Sequence, residues 1–342
     1  MKIAIVTVYH PFTNLGSYLQ AYALQIVLNG LGHDVYFVNT GSKFKSIYNL
    51  LCHLNPKREF LLRFQKAYFA LKDLSKFKII DIDRANHCDL LIFGSDEIWN
   101  VTNKFFQQPV FWGLPFENKP MIGYAISAVH ATNDDFRNNV LLTSNIKSFS
   151  EILTRDIHTQ SLLNEHFNIK TKLVADPTLL VNANLLSKEI NIPKDNYLLV
   201  YTYGINPSMI KILKQFAKKH SLKIISPCFW HPWVDSTIEC SALQLGTLMR
   251  HAKYVFTTTF HGTIFSLINH TKCCILPLRD KVRDVCETLK CEERLIDESI
   301  TFDSFERIIC KNFSTHKFEQ NLLELRNDSF NTLNSVISKH RK

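Results

Sequence analysis

Residues 254–268 read YVFTTTFHGTIFSLI, and this stretch decides the fold because a strand passes into a helix within it. The run YVFTTT at 254–259 is apolar and rich in β-branched residues, which is typical of a buried strand. The apolar run IFSLI at 264–268 follows after a short turn and predicts a helix. A strand that leads directly into a helix is a building block of parallel sheets. The stretch therefore predicts an α/β protein.

The same alternation of strands and helices continues on both sides of this stretch, in two series. The first series predicts strands at 3–8, 34–40, 89–95 and 121–127 and helices at 17–31 and around 136–142. The second predicts strands at 172–177, 197–204, 222–227, 254–259 and 273–278 and helices at 207–219 and near 242–251. Because alternation of this kind predicts parallel sheets, we expect two Rossmann-like domains that face a cleft.

The length of the chain agrees with two domains, since 342 residues are many for one hydrophobic core. We expect an N-terminal domain at 1–160 with a helical insertion near 43–83, a C-terminal domain at 170–320 and a C-terminal helix at 321–342. No run approaches 18 uninterrupted apolar residues, and the N-terminal MKIAIVTVYHP lacks the length and the cleavage site of a signal peptide. We therefore expect a cytoplasmic protein.

Lysine and arginine outnumber aspartate and glutamate by 40 to 31, which gives a net charge of +9. Such a balance favours anionic partners. The basic residues are dispersed and no nucleic-acid motif accompanies them, so we expect a phosphate-bearing substrate rather than nucleic acid. The nine cysteines are scattered without a CxxC pair, which indicates reduced thiols in the core or at the surface. No His/Cys/Asp cluster has metal-ligand spacing, so we expect no metal.

The segment 57–74, KREFLLRFQKAYFALKDL, places apolar side chains at a nearly helical period, with basic side chains between them. A basic amphipathic helix can lie on an anionic membrane surface, here the inner face of the plasma membrane. It can equally pack on the protein with a solvated charged face, which is the interpretation we favour. The sequence leaves peripheral contact with an anionic membrane open.

The first candidate site follows the strand at 3–8, where the helix at 17–31 begins. Glycine at position 16 permits a tight turn, and a helix N-terminus offers unpaired N–H groups to an anion. Gln20 lies on the first turn of the helix and can point into the cleft. Asn14, Gly16 and Ser17 would serve equally well as a turn and a helix cap.

The second candidate site is GSDEIWN at 94–100, directly after the strand at 89–95. Ligands of open α/β sheets gather at the carboxyl ends of strands. Glycine, hydroxyl, carboxylate and indole within seven residues are typical of carbohydrate recognition, since Asp96 can bind sugar hydroxyls and Trp99 can stack on a sugar face. The alternative is a helix start capped by Ser95 or Asp96.

The third candidate site is His261 with Gly262 and Thr263, at the turn between strand 254–259 and its helix. Histidine suits proton transfer near neutral pH, and the start of a helix can hold a phosphate or carboxylate. Arg155, at what we take as the inter-domain turn, can make a two-pronged contact with such an anion, or pair with Asp156 or another acid.

These motifs together resemble the polysaccharide pyruvyl transferase family, over about residues 1–300. The matching segments are NLGSYLQAYALQ (14–25), GSDEIWN (94–100), YAIS (124–127), ILTRD (152–156), ADPTLL (175–180) and TTTFHGTIFSLI (257–268). The resemblance implies a GT-B-like architecture, with phosphoenolpyruvate as co-substrate and no other cofactor. The acceptor would be a sugar of a capsular or cell-surface polysaccharide precursor, and a lipid-linked oligosaccharide is one form that this acceptor could take. The product would be a cyclic pyruvate ketal, with phosphate released.

The resemblance also implies roles for the candidate residues. His261 would be the catalytic acid, and Arg155 would hold the donor together with Thr259, Gly262, Thr263 and Arg283. Asp96 would bind or deprotonate the acceptor. The other predicted acceptor-side residues are Asn14, Gly16, Gln20, Ser95, Trp99 and Asn100.

The sequence departs from the family pattern before the FHG element, where aspartate and arginine are frequent and this chain has Thr258 and Thr259. Arg279, Lys281 or Arg283 could supply the missing positive charge. The family's GSDQ also reads GSDE here. A GT-B glycosyltransferase that uses a nucleotide sugar and a non-catalytic carbohydrate-binding relative are the alternative functions.

Overall fold

The computed structural model describes residues 1–9, 14–40, 68–116, 118–312 and 315–341. Within these ranges the chain forms two compact units, each built on its own parallel sheet. The first unit comprises Met1–Pro56, Leu71–Val181 and Glu324–Lys342, and the second comprises Lys57–Ala70 and Asn182–Leu323, as far as these residues are described.

The first unit contains a seven-stranded parallel sheet in the order β3-β2-β1-β4-β5-β6-β7. Its strands are β1 (Lys2–Val6), β2 (Asp34–Val38), β3 (Ile79–Ile80), β4 (Leu90–Phe93), β5 (Met121–Ile126), β6 (Glu151–Thr154) and β7 (Lys172–Leu173). The strand order reverses between β1 and β4, which is the Rossmann arrangement. Ligands of such sheets bind outside the carboxyl ends of the strands at the reversal, here called the switch point.

Helices accompany this sheet, and the inner strands are apolar throughout because both of their faces are covered. All four residues of β4 and all six of β5 are buried. The α-helices of this unit are α1 (Leu15–Gly30), α2 (Ile82–Ala85), α3 (Asn133–Asn138), α4 (Val140–Thr143), α5 (Ile157–Phe167) and α6 (Pro177–Leu180). Short 3-10 helices lie at Lys104–Gln107, Pro109–Trp112 and Ser144–Ser148.

The second unit repeats the architecture with a five-stranded parallel sheet in the order β10-β9-β8-β11-β12. Its strands are β8 (Tyr197–Tyr201), β9 (Lys223–Pro227), β10 (Ser236–Ile238), β11 (Tyr254–Thr257) and β12 (Cys273–Ile275). Its α-helices are α7 (Pro207–Lys219), α8 (Ala242–His251), α9 (Phe260–Ile268), α10 (Asp280–Thr288) and α11 (Phe302–Cys310), with 3-10 turns at Ala183–Leu186 and Glu292–Arg294. Its switch point lies between β8 and β11. Two Rossmann-like domains are therefore confirmed.

The boundary between the units differs from the one expected at 160–170. The sequence predicts the run at 172–177 as part of the second series, but β7 pairs with β6 in the first sheet, with Leu153 opposite Lys172. The first unit therefore continues to Val181. The short strands β3, β6 and β10 were not predicted. Arg155 follows β6 directly, so the interpretation of this residue as part of an inter-domain turn is wrong.

The predicted insertion near 43–83 falls largely outside the described residues, as does most of the basic segment 57–74. Residues 68–74 are helical, and Tyr68 and Leu71 are exposed there. Residues 79–80 form β3 and thus belong to the first sheet. Contact of the basic segment with a membrane stays a prediction. Among the described helices, none combines the length and the apolar character needed to cross a bilayer.

The C-terminal helix α12 runs over Thr315–Ser338 and so begins before the expected residue 321. Its second half packs on the end of the first sheet. The buried Ser329 hydroxyl accepts a hydrogen bond of 2.8 Å from the backbone N–H of Ala175. Arg326 Nε donates to the carbonyl oxygen of Leu179 at 2.7 Å. These contacts make the end of the helix part of the first unit.

We predict that Ser329→Ala destabilises the protein by about 1–3 kcal/mol, because it leaves the buried N–H of Ala175 without an acceptor. Ser335→Ala on the same helix is the matched control, since Ser335 is exposed and its loss is worth less than about 0.5 kcal/mol. Chemical denaturation of both variants measures the difference. Equal stabilities would contradict the anchoring role of Ser329.

Candidate functional site

The segment after β4 carries an unusual backbone at the switch point of the first sheet. Gly94 has a φ of 105°, and a Cβ there would lie 2.3 Å from the carbonyl oxygen of Tyr124. Asp96 has a φ of 82°, which side-chain-bearing residues adopt only when the surrounding structure holds them there. Residues 94–100 form turns and a bridge to Ile126 rather than the alternative helix start. This path fixes Ser95 and Asp96 at the carboxyl edge of the sheet.

Arg155 lies between two carboxylates at this edge. Its Nη2 donates to Asp96 Oδ1 at 3.1 Å, and its Nη1 donates to Asp176 Oδ2 at 2.8 Å. The Ser95 hydroxyl donates to the same Asp176 oxygen at 3.1 Å. The charged side chains are 2% exposed for Arg155, 7% for Asp96 and 1% for Asp176. The four side chains form one buried network, here called the arginine network.

The charge of Arg155 is secured by its neighbours. Burial alone would lower the pKa of the guanidinium, but the negative charges of Asp96 and Asp176 outweigh this effect and raise the pKa overall. The two-pronged contact predicted for Arg155 is therefore made with carboxylates of the protein itself. A contact of Arg155 with a ligand anion stays a prediction.

The loop after β1 and the start of α1 are linked to the same edge of the sheet by buried hydrogen bonds. Asn14 caps α1, since its side chain accepts hydrogen bonds from Gly16 N at 3.0 Å and Ser17 N at 3.4 Å, which confirms the cap interpretation. Gln20 is fully buried and donates to Thr7 Oγ1 at 3.1 Å. Thr7 Oγ1 in turn donates to the Ser95 carbonyl oxygen at 2.8 Å. Gln20 therefore braces the switch point, and the expectation that it points into a cleft is wrong.

Trp99 does not have the role expected of it. The indole is fully buried, stacks on Trp112 at 5.9 Å between ring centroids, and meets the edge of Phe149 at 5.3 Å. Its Nε1 donates to the carbonyl oxygen of Phe111 at 3.2 Å. Because protein covers the ring, Trp99 is a core residue, and its predicted stacking on a sugar is wrong.

Glu97 is a functional candidate that the sequence reasoning did not include among the site residues. Of the acidic side chains that follow β4, β6 and β7 (Asp96, Glu97, Asp156 and Asp176), only Glu97 is partly exposed. Its Oε2 accepts a hydrogen bond from Asn100 Nδ2 at 3.4 Å, so the predicted acceptor residue Asn100 orients it. The sequence feature that could have indicated Glu97 is the GSDE at 94–97, where the family pattern has GSDQ.

The FHGT element, residues 260–263, lies at the switch point of the second sheet. Thr259 caps α9, and its Oγ1 accepts a hydrogen bond from Gly262 N at 3.0 Å. The Thr263 hydroxyl donates to the Thr259 carbonyl oxygen at 2.9 Å. A Cβ at Gly262 would lie 2.2 Å from Thr257 Oγ1, so only glycine fits this turn. The predicted glycine turn and helix start are confirmed.

His261 occupies the first turn of α9, with 7% of the residue exposed. The threonines beside it link the ends of β8 and β11. Thr257 Oγ1 donates to the Tyr201 carbonyl oxygen at 2.8 Å, and the hydroxyls of Thr202 and Thr258 are hydrogen-bonded at 2.8 Å. The imidazole is thus held at the edge of the sheet where Rossmann folds bind ligands.

A second histidine at this edge was missed. His231 Nε2 donates to the Thr202 carbonyl oxygen at 3.1 Å, and its ring stacks on Trp233 at 5.4 Å. Burial lowers the pKa of His231, and the hydrogen bond to Thr202 only partly opposes that effect. The signal was the HPW sequence at 231–233, which follows the predicted strand at 222–227.

A lysine of α10 contacts the FHGT element. Lys281 Nζ lies 5.7 Å from the centroid of the Phe260 ring. The predicted donor residue Arg283 lies on the same helix with an exposed side chain. Within the described ranges, no group of three or more His, Cys, Asp or Glu side chains is arranged to hold a metal ion.

We predict that Arg155→Met destabilises the protein by about 3–5 kcal/mol, because two buried carboxylates lose their cation. Arg137→Met is the matched control, since Arg137 and its partner Asp134 are 69% and 81% exposed and such pairs contribute less than about 1 kcal/mol. Urea unfolding measures both. A loss for Arg155→Met no larger than that of the control would refute the network's structural role.

Solved structures of two kinds of enzyme share the fold. A putative UDP-N-acetylglucosamine 2-epimerase from Listeria monocytogenes is 9% identical, with a TM-score of 0.59 over 99% of this chain and 96% of its own. The UDP-GlcNAc 2-epimerase from Neisseria meningitidis is 11% identical, with a TM-score of 0.58 over 99% and 100%. The glycosyltransferase SnogD from Streptomyces nogalater is 14% identical, with a TM-score of 0.51 over 100% of both chains. The expected GT-B-like fold is confirmed.

A comparison with curated proteins finds no match. The family model described as polysaccharide pyruvyl transferase matches residues 14–279. The matched range takes in the cap of α1, the arginine network and the FHGT turn. Because it spans most of the sequence and contains the switch points of both sheets, the chain belongs to the polysaccharide pyruvyl transferase family.

Proposed function

We propose that the protein transfers the three-carbon pyruvyl unit of phosphoenolpyruvate to two hydroxyls of one sugar residue in a polysaccharide precursor. The product is a cyclic ketal, and inorganic phosphate is released. The observation that carries the proposal is the position of His261, an imidazole in the first turn of a helix at a Rossmann switch point. Membership of the family supports the choice of substrates.

The reaction requires an acid, a base and a site for anions. Protonation of the methylene carbon of phosphoenolpyruvate gives an oxocarbenium-like centre, which one sugar hydroxyl attacks as it loses its proton. Departure of phosphate then regenerates an electrophilic carbon, and the second hydroxyl closes the ring. Positive charge near the carboxylate and the phosphate stabilises the donor and the leaving group.

His261 is the proposed acid. A helix N-terminus favours an anion by about 0.3–1 kcal/mol at exposed positions. An anion bound there also stabilises the imidazolium, which is the form that donates a proton. Lys281, beside the ring of Phe260, adds positive charge at the same turn. We propose that Lys281 contributes the cation that Thr259 cannot provide.

Asp96 and Glu97 have different roles in this proposal. Asp96 accepts hydrogen bonds from Arg155 and from the backbone N–H of Glu97, so its Oδ1 is occupied within the protein. Arg155 acts as a positioning residue that holds Asp96 and Asp176. Glu97 is the more accessible carboxylate and is the proposed base for an acceptor hydroxyl.

We predict that the purified protein releases phosphate from phosphoenolpyruvate only when a galactoside acceptor or a lipid-linked saccharide is present. His261→Ala should lower kcat by about 10²–10⁴-fold, because the reaction loses its acid. His251→Ala is the matched control, since His251 is exposed at the end of α8. Phosphate release and mass spectrometry of the ketal product measure the reaction, and melting curves verify folding.

Other results point elsewhere. Turnover only with a nucleotide sugar would identify a glycosyltransferase and would overturn the proposal. Sugar binding without turnover of either donor would identify a non-catalytic relative. Full activity of a folded His261→Ala variant would remove the proposed acid while leaving the reaction itself intact.

We predict that Glu97→Gln lowers kcat by at least about tenfold, because a neutral amide accepts no proton from the acceptor hydroxyl. Asp134→Asn, at an exposed position of α3, is the control for loss of one negative charge. The rate of phosphate release at saturating substrate gives kcat for both variants. A kcat of Glu97→Gln no lower than that of Asp134→Asn would exclude Glu97 as the base.

A further inference from the structure

Two cysteines lie side by side at the carboxyl edge of the second sheet. Cys228 directly follows β9, and Cys240 follows β10, the parallel strand next to it. The two sulfurs are 3.5 Å apart, and Cys228 Sγ also lies 3.3 Å from the Cys240 carbonyl oxygen. A backbone hydrogen bond of 2.9 Å from Cys228 N to the Ile238 carbonyl oxygen holds the two chain segments next to each other. Both residues are buried.

The spacing is set by the sheet and not by a mobile loop. Strands β9 and β10 pair with Pro227 opposite Ile238, so Cys228 lies one residue and Cys240 two residues beyond the last paired position. A disulfide has a sulfur–sulfur bond of about 2.0 Å, so the sulfurs must move together by about 1.5 Å. Cys228 has a φ of 61°, which turns the chain at this point. Closing this gap requires the turn at Cys228 to shift.

The structure assigns Cys228 and Cys240 as a redox modification site, a dithiol that a small-molecule disulfide such as oxidised glutathione converts to an intramolecular disulfide. One thiol loses its proton, and the thiolate attacks a sulfur of the oxidant, which releases one glutathione thiolate. The second protein thiolate attacks the mixed disulfide and releases the second. The protein loses two electrons and two protons, and the oxidant becomes two thiols.

The bond would constrain the chain segment 229–239, which reaches the ligand edge of the sheet. His231 in this segment donates to the Thr202 carbonyl oxygen, and the Thr202 hydroxyl is bonded to Thr258, which precedes the cap of α9. Phe229 contacts the ring of Tyr201 at 5.5 Å between centroids. Oxidation therefore fixes a segment that is hydrogen-bonded to the switch point of the second sheet.

The test uses the full-length protein and oxidised glutathione. The tryptic peptide 224–250 lies between Lys223 and Arg250 and contains both cysteines. We expect this peptide to become lighter by two hydrogens and to resist alkylation after denaturation, with two of the nine thiols lost. The Cys273→Ser variant, which replaces a buried cysteine of β12, should lose two thiols on oxidation as the wild type does. Cys240→Ser and Cys240→Ala should form no such peptide.

Hydrogen exchange tests the consequence for the segment. Amides of 229–239 should exchange at least about tenfold more slowly after oxidation of the wild type, because opening of the segment is restricted. The same treatment should leave exchange in Cys240→Ser unchanged. A peptide 224–250 that stays alkylatable, or that carries glutathione instead of the internal bond, overturns the assignment. Unchanged exchange in the oxidised wild type overturns the constraint on the segment.

Discussion

The candidate site of the first unit depends on the two ion pairs that the buried guanidinium of Arg155 forms with Asp96 and Asp176. It joins three chain segments that are distant in sequence, because Asp96 follows β4, Arg155 follows β6 and Asp176 follows β7. Two carboxylates buried this closely would repel each other without a cation between them. The ion pairs thus hold three separate strand ends together at one edge of the sheet. Ser95 belongs to the same network, since its hydroxyl accepts a hydrogen bond from Arg155 Nη1.

The second unit organises its edge without charge. Threonine hydroxyls at 202, 257, 258 and 259 connect the ends of β8 and β11 to the cap of α9, and each bond joins neutral groups. Neutral hydrogen bonds contribute about 0.5–1.5 kcal/mol each, so this edge is held by several modest contacts. His261 lies in the first turn of α9, where the charge of a bound ligand acts on it directly. The two units have the same strand order at their centres but use different chemistry at the switch point.

The sequence predicted the fold well where strands are apolar and almost wholly buried, as at β1, β4, β8 and β11. It failed at β3, β6 and β10, because these strands of two to four residues include exposed or polar residues and so form no apolar run of their own. For the site, the position of His261 followed from local order alone, as strand, turn and helix are consecutive. The partners of Arg155 lie 59 and 21 residues away, and no local pattern reports such pairings. Trp99 was misjudged because composition does not show which side of a turn faces the core.

The distribution of tryptophan follows from the same packing and has a spectroscopic consequence. Trp99 and Trp112 stack inside the first unit, whereas Trp230 and Trp233 belong to the segment after β9, where Trp230 is 43% exposed. These are the four tryptophans of the chain. Emission from the stacked pair reports a dry interior, and emission from Trp230 reports contact with water. The intrinsic fluorescence of the protein therefore contains two signals, one from each unit, without any label.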